Sequence, residues 1–326
     1  MEKIRIGICG YGNLGKGVEK EISNVNDMEL KAIFTRRDPK DIQKNSEIQI
    51  LKNDNILDFK NEIDVMIMCG GSSNDLPNQV PQMAKVFNTV DSFDTHAKIP
   101  EYYEKVNKSA ILANKTCVIC GGWDPGLFSL MRLYGMSVLP QGKSHTFWGK
   151  GVSQGHSNAI RKVNGVKDGV QYTIPNDNII KKIRNGENVN IDEKEKHIRQ
   201  CFVALEPDAD KKSVEDQIKT MPNYFEGYKT EVNFITEEEL KEKHNKMSHG
   251  GFVIHTAKTG KENNQTMEFT LKLDSNPEFT ASVLISLARA AYRMNKSGKY
   301  GAKTMLEIPP FLLSEKDIEE LRKTIL

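Results

Sequence analysis

At 326 residues, with 46 Lys and Arg against 44 Asp and Glu and a formal charge of +2, the chain is long enough for two cored domains and carries no charge excess that would attract nucleic acid. No apolar run reaches membrane-spanning length, and the charged first residues lead straight into a strand, so a soluble cytoplasmic protein without a signal peptide is expected. Five scattered cysteines suit a reducing compartment.

Ile4, Ile6 and Ile8 alternate with Arg5 and Gly7, the pattern of a short buried strand. Gly10-Tyr11-Gly12-Asn13-Leu14-Gly15 follows at once, and Lys16 to Ile22 opens a helix. This is G-x-G-x-x-G in a strand–turn–helix setting, where the helix start offers N–H groups and a positive dipole end to a pyrophosphate. The next strand, Leu30 to Phe34, runs into Thr35-Arg36-Arg37 instead of the acidic residue that would hold a ribose 2′-hydroxyl. A hydroxyl and two guanidinium groups suit a 2′-phosphate, which predicts NADP over NAD.

Asp64 to Cys69 reads as a buried parallel strand ending at Gly70-Gly71-Ser72. A short helix over Pro81–Val86, a strand over Phe87–Val90 ending at Asp91-Ser92-Phe93-Asp94, and a helix over Pro100–Ala113 come next. A strand over Thr116–Cys120 then runs into Gly121-Gly122-Trp123-Asp124-Pro125-Gly126. Alternating strands and helices predict a doubly wound parallel sheet, and its carboxyl ends are where such sheets bind ligands. Asp94 and Asp124, at successive strand ends, suit holding a cationic group and taking its proton, though an Asx turn or helix cap serves each equally. Cys117-Val-Ile-Cys120 matches C-x-x-C, but an offset of three on a strand sends the thiols to opposite faces, and no second pair completes a zinc site.

Beyond a helix from Pro125 to about Leu139 the pattern changes to strands at 146–149, 170–174, 198–205, 231–235, 251–256 and 266–273, with helices at 210–220 and 236–244. That mixture predicts an α+β domain on a mainly antiparallel sheet. Arg199 alternates with His197 and Cys201 on one strand face and suits a carboxylate in fork geometry, though a plain surface Arg explains it equally. Thr173, His249 and Asn276 are further polar candidates, each equally explained as a strand Thr, a loop His and a helix N-cap. No ligand cluster suggests a metal. Pro277 to Asn295 reads as a long helix that, with Leu306–Ile308, returns to the first domain. The expected organisation is a dinucleotide-binding domain over 1–125 with 277–326, and a second domain over 126–276.

With these pieces in place, the chain resembles the meso-diaminopimelate dehydrogenases along essentially its whole length. The resemblance rests on Gly10–Gly15, Thr35–Arg37, Gly121–Gly126, His145-Thr-Phe-Trp-Gly149, Ser153-Gln-Gly-His-Ser157, Met221-Pro-Asn-Tyr-Phe225, His249-Gly-Gly251 and Leu271–Pro277. It implies a Rossmann-type fold with a second, substrate-binding and dimerisation domain, and a homodimer. It implies reversible oxidative deamination of the D-centre of meso-2,6-diaminopimelate, yielding ammonia and NADPH, in lysine and peptidoglycan precursor synthesis. Asp94 and Asp124 would hold the reacting amino group, with Asp124 taking the proton. Trp148, Gln154 and Gly155 would line the substrate, and Thr173, Arg199, His249 and Asn276 would grip its distal L-centre. Cofactor contacts would come from Gly10, Tyr11, Gly12, Asn13, Leu14, Thr35, Arg36, Arg37, Cys69, Gly70, Gly71, Ser72, Ser92, Phe93, Asp94, Gly121, Gly122, Trp123, Asp124 and Pro125. A non-catalytic NADPH sensor of the same fold would have no need of Asp94, Asp124, Trp148, Arg199 and His249 together.

Overall fold

Ile4, Ile6 and Ile8 are buried on one face of the first strand, β1 (Ile4–Cys9), as their alternation requires. They start the fold seen in a computed structural model that describes residues 2–42, 47–187 and 191–326. The chain forms two compact units, Met1–Leu130 with Pro277–Leu326, and Met131–Asn276. Among the described residues no helix is long and apolar enough to cross a membrane.

In chain order the first unit continues with α1 (Asn13–Ile22), β2 (Met28–Thr35), β3 (Ile50–Lys52), β4 (Val65–Met68), α2 (Leu76–Met83), β5 (Asn88–Asp91), α3 (Ile99–Leu112) and β6 (Thr116–Val118). Helix α2 begins five residues before the helix expected at Pro81. Pro77 occupies its first turn, where no intrahelical N–H is needed, so Pro81 lies inside the helix and does not start it. Strand β6 ends at Val118, two residues short of expectation, and Cys120 takes a left-handed φ of 57°. That turn corrects the expected placement of the thiols. Cys117 and Cys120 belong to one core cluster on the same side of the sheet, both as free thiols. Burial pushes Cys117 up to about 12, away from reactivity.

The second unit begins within α4 (Leu127–Val138) and continues with β7 (Lys143–Trp148), β8 (Gly151–Val152), α5 (Gln154–Ile160), β9 (Val166–Pro175) and α6 (Asp177–Arg184). It is completed by β10 (His197–Leu205), α7 (Lys211–Lys219), β11 (Thr230–Phe234), α8 (Glu237–Lys243), β12 (His249–Thr259) and β13 (Asn263–Leu273). It holds two sheets, ordered β11-β10-β9-β8 and β13-β12-β7, antiparallel except for the parallel pair β10/β11. One face of the first sheet buries Cys201 and Val203 with Ile160 of α5 and Val214 and Ile218 of α7. Ser153, Asp210 and Thr236 cap α5, α7 and α8 with their side-chain oxygens.

The chain then returns to the first unit as α9 (Asn276–Lys296), β14 (Gly301–Lys303), a short 3₁₀ turn at Met305–Glu307 and α10 (Ile318–Ile325). The seven strands run in the order β14-β6-β5-β4-β1-β2-β3, and every neighbouring pair is parallel. One face buries Ile6, Ile8 and Ile67 against Val18 and Ile22 of α1 and Leu284, Leu287 and Ala291 of α9. The other buries Phe34, Met66 and Met68 against Leu76 and Val80 of α2 and Tyr102, Val106 and Ala110 of α3. A fully buried Leu contributes roughly 1.5–3 kcal/mol, so Leu284 and Leu287, both at 0% exposure, make α9 integral to this sheet. Met305 and Ile308 join the same core. Strand order reverses between β1 and β4, the position at which open α/β sheets bind ligands.

Candidate active site

At that switch point β1 hands over to α1 through Gly10, at φ 101°. A Cβ on Gly15 would lie 2.1 Å from the Gly10 carbonyl oxygen, so the helix packs on its own turn only with glycine there. Gly12, which caps α1, faces open space instead: a Cβ built on it meets nothing within 4 Å. This opening belongs to a cavity of about 390 Å³. Of the expected cofactor residues, Gly10, Tyr11, Gly12, Asn13, Thr35, Arg36, Arg37, Cys69, Gly70 and Gly71 line it. The Tyr11 side chain is buried, and its hydroxyl donates to Glu19. Leu14 packs against the core and does not line the cavity.

The Arg-Arg pair is already oriented. Arg36 forms a two-pronged pair with Asp75, Nη1 to Oδ1 at 2.8 Å and Nη2 to Oδ2 at 3.1 Å. Asp75 Oδ2 also accepts the Gly71 N–H at 2.9 Å. Arg37 Nη2 donates to the Tyr11 carbonyl, and its own N–H donates to Thr35 Oγ1 at 3.2 Å. Lys16, Asn53, Asp75 and Gln79 also line the cavity and were not anticipated. Asn53 Oδ1 is buried without a partner among the described residues. These donors and the open Gly12 fit a phosphate-bearing dinucleotide with a 2′-phosphate.

Ser72, Ser92, Phe93, Asp94 and the run Gly121–Pro125 lie outside that cavity, on the loops after β4, β5 and β6. Ser72 Oγ accepts the Asp94 N–H at 2.9 Å, joining two of these loops. Phe93 is buried and stacked on Tyr102, and Trp123 is buried edge-on to Phe128. The Asp94 carboxylate is exposed and makes no hydrogen bond or ion pair with a described residue, so it is neither a helix cap nor an Asx turn. Asp124 is half-buried and precedes Pro125 across a cis peptide bond.

In the second unit Thr173 and Arg199 lie on the sheet of β9 and β10, and Trp148 and His249 on the sheet of β7 and β12. Thr173 of β9 lies opposite Arg199 of β10 on one side and Gly151 of β8 on the other. Arg199 Nη1 donates to Thr173 Oγ1 at 2.8 Å, and the guanidinium lies 4.3 Å from the Tyr228 ring centroid. No carboxylate of the described residues pairs with Arg199, and its Nε is buried without a partner. Burial lowers the affinity of this guanidinium for its charge, a cost that an anionic ligand would offset. His197, on the same strand face, stacks on Trp148 and accepts the Trp148 N–H at 2.9 Å. Burial, with Arg199 and Lys196 nearby, pushes His197 down to about 3, so it is neutral and acts as an acceptor. Burial and Arg199 likewise hold His156 at about 4. His249 opens β12, with Nδ1 2.8 Å from the Gly250 nitrogen and 3.0 Å from its carbonyl oxygen, and burial lowers its pKa. Gln154 and Gly155 form the first turn of α5. Asn276 starts α9, its N–H on the Met247 carbonyl at 3.0 Å. Tyr228, Gln171 and His197 complete this polar cluster; only alternation with Arg199 marked His197 in advance.

A profile of the diaminopimelic acid dehydrogenase C-terminal domain matches residues 122–275. The meso-diaminopimelate D-dehydrogenase of Ureibacillus thermosphaericus is 57% identical over 326 residues, which cover 100% of both chains. The structure of C. glutamicum DAP dehydrogenase in complex with DAP superposes with a TM-score of 0.93 at 43% identity, covering 100% of each chain. An engineered D-amino acid dehydrogenase bound to NADP+ superposes at 0.88 with 42% identity, over 99% of this chain and 100% of that one. The chain belongs to the meso-diaminopimelate D-dehydrogenase family.

Proposed function

We propose that the protein catalyses the NADP-dependent, reversible oxidative deamination of the D-centre of meso-2,6-diaminopimelate, giving L-2-amino-6-oxopimelate, ammonia and NADPH. The observation that carries this reading is the 57% identity to a meso-diaminopimelate D-dehydrogenase over the full length of both chains. Run in reverse, the reaction supplies meso-diaminopimelate for lysine and peptidoglycan precursors. A cytoplasmic homodimer fits the reading. The edge strand β13 is exposed over most of its length and carries the exposed Met267, which supports a subunit contact there.

The turn Gly10–Asn13 holds the pyrophosphate, and Thr35, Arg36 and Arg37 hold the 2′-phosphate. Gly70, Gly71, Ser72 and the loops at Ser92–Asp94 and Gly121–Pro125 extend these contacts toward the nicotinamide. NADP, when bound, supplies the hydride acceptor. Asp94 and Asp124 hold the reacting amino group, and Asp124 takes the proton that the ammonium must lose before the α-carbon can be oxidised. Trp148, Gln154 and Gly155 wall the substrate. Thr173, Arg199, His249 and Asn276 take the distal L-centre and its carboxylate, so binding energy at the far end orients the near end. The half-buried Arg199 cation, which pairs with no carboxylate of the described residues, supports that role.

The test is NADPH absorbance with purified protein, NADP and meso-diaminopimelate, beside NAD and the L,L and D,D isomers. NADPH formation is expected with NADP and a D-centred substrate. Arg199→Met is expected to raise the KM for meso-diaminopimelate roughly tenfold or more, as for loss of charge-assisted hydrogen bonds. A flat trace from folded, NADP-binding protein would overturn the assignment.

A further inference from the structure

Gln171 is fully buried and lies two residues before Thr173, on the same face of β9. The antiparallel register places Arg199 opposite Thr173 and Cys201 opposite Gln171, so Gln171 is the diagonal neighbour of Arg199. Gln171 Nε2 donates to Thr173 Oγ1 at 3.3 Å, and Arg199 Nη1 donates to the same oxygen at 2.8 Å. A hydroxyl has two lone pairs and one proton. With both lone pairs of Thr173 taken, its remaining capacity is the O–H, which is left to donate. Gln171 has its Oε1 buried without a partner among the described residues, whereas both of its main-chain groups are paired. Its N–H donates to Ser157 Oγ at 3.0 Å and its carbonyl accepts from the Ser153 N–H at 3.0 Å, at the start of α5.

We propose that Gln171 is a positioning residue that makes the Thr173 hydroxyl a donor, beside the Arg199 guanidinium, for the carboxylate at the distal L-centre of the substrate. The proposal rests on the function given above. It explains why a neutral amide suits a position next to a half-buried guanidinium that no carboxylate of the described residues pairs. A carboxylate at residue 171 would accept the Thr173 O–H and give Arg199 an internal counter-ion, so the cluster would satisfy itself and no longer call for an external anion. An apolar side chain of the same length would release one lone pair of Thr173 and leave its O–H without a fixed direction.

The experiment compares wild type, Gln171→Glu and Gln171→Met, measuring kcat and the KM of meso-diaminopimelate and of NADP, with a melting curve for each protein. Gln171→Glu is expected to raise the KM for meso-diaminopimelate at least tenfold and Gln171→Met about threefold to tenfold, as for the loss of one neutral hydrogen bond. The KM for NADP and kcat should stay within about threefold. A role confined to packing would instead lower kcat and leave the KM values without this split. An unchanged KM for meso-diaminopimelate in either folded variant overturns the proposal. If Gln171→Glu does not fold, Gln171→Met decides by the same criterion. Wild-type turnover reports separately on the proposed function: its absence overturns that reading and this one with it, whereas active wild type with unaltered variants removes only the role of Gln171.

Discussion

Asp91 ends β5 with its carboxylate fully buried between two of the loops described above. Oδ1 accepts the N–H groups of Phe93 at 2.9 Å and Cys120 at 3.2 Å, and Oδ2 accepts the Tyr102 hydroxyl at 2.7 Å. Burial outweighs these bonds and raises the carboxyl from 3.8 to about 6. Between those values the folded chain keeps a proton that the unfolded chain has released. The contribution of Asp91 to stability is therefore complete below pH 4 and is lost as the pH rises through 6. At about 1.4 kcal/mol per pH unit, the window amounts to about 3 kcal/mol. His145 and His156 at about 4 and His197 at about 3 act in the opposite sense, because they are neutral when folded and protonated when unfolded. Only a difference between variants isolates Asp91. In Asp91→Asn the amide oxygen keeps both N–H donors and the amide nitrogen donates to the Tyr102 oxygen. Urea unfolding of both proteins at pH 4 and pH 7 should show the variant gaining about 3 kcal/mol on wild type across the interval. A difference independent of pH would show that the three hydrogen bonds fully offset the burial of the charge, and the reasoning would fail.

Two further outcomes follow from ion pairs of the first unit. Arg36→Met removes a guanidinium held by Asp75 at the cavity wall, and should raise the KM for NADP roughly tenfold to a hundredfold while leaving that for NAD within about threefold. Equal effects on the two cofactors would exclude a 2′-phosphate contact. Asp27→Ala leaves the buried Arg289 guanidinium without the carboxylate that it meets at 2.6 and 2.8 Å, with only Glu315 of the described residues, at 3.6 Å and partly exposed, as a remaining counter-charge. Its cost should be about 3 kcal/mol, the low end for breaking a buried pair because Asp27 is partly exposed, read as a lower urea midpoint at unchanged slope.

Features set by neighbouring residues were legible before the structure, and features set by distant ones were not. The Ile4-Ile6-Ile8 alternation, the glycine turn and the Arg36-Arg37 pair act within a few residues, where steric and charge rules operate directly. Even there the three glycines look alike in sequence. Contacts separate them: Gly15 meets the Gly10 carbonyl, while Gly12 faces the cavity. Asp75, which orients Arg36 from 39 residues away, had no local signature, and neither did β14, only three residues long and recruited to the sheet edge by β6. The C-x-x-C pair was misplaced for a related reason. Strand alternation predicts opposite faces only while the strand lasts, and the left-handed Cys120 ends it.

The same limit explains why the second unit's polar residues each read as ordinary beforehand. Arg199 is unremarkable until the β9/β10 register sets it against Thr173, and Thr173 is a plain strand residue until Gln171 and Arg199 both donate to it. The function of each group lies in the hydrogen-bonding capacity its neighbours leave over, a quantity fixed by pairing across 26 residues of chain rather than by residue type. A half-buried cation that no carboxylate of the described residues pairs, beside a hydroxyl whose lone pairs are already taken, is complementary to a carboxylate.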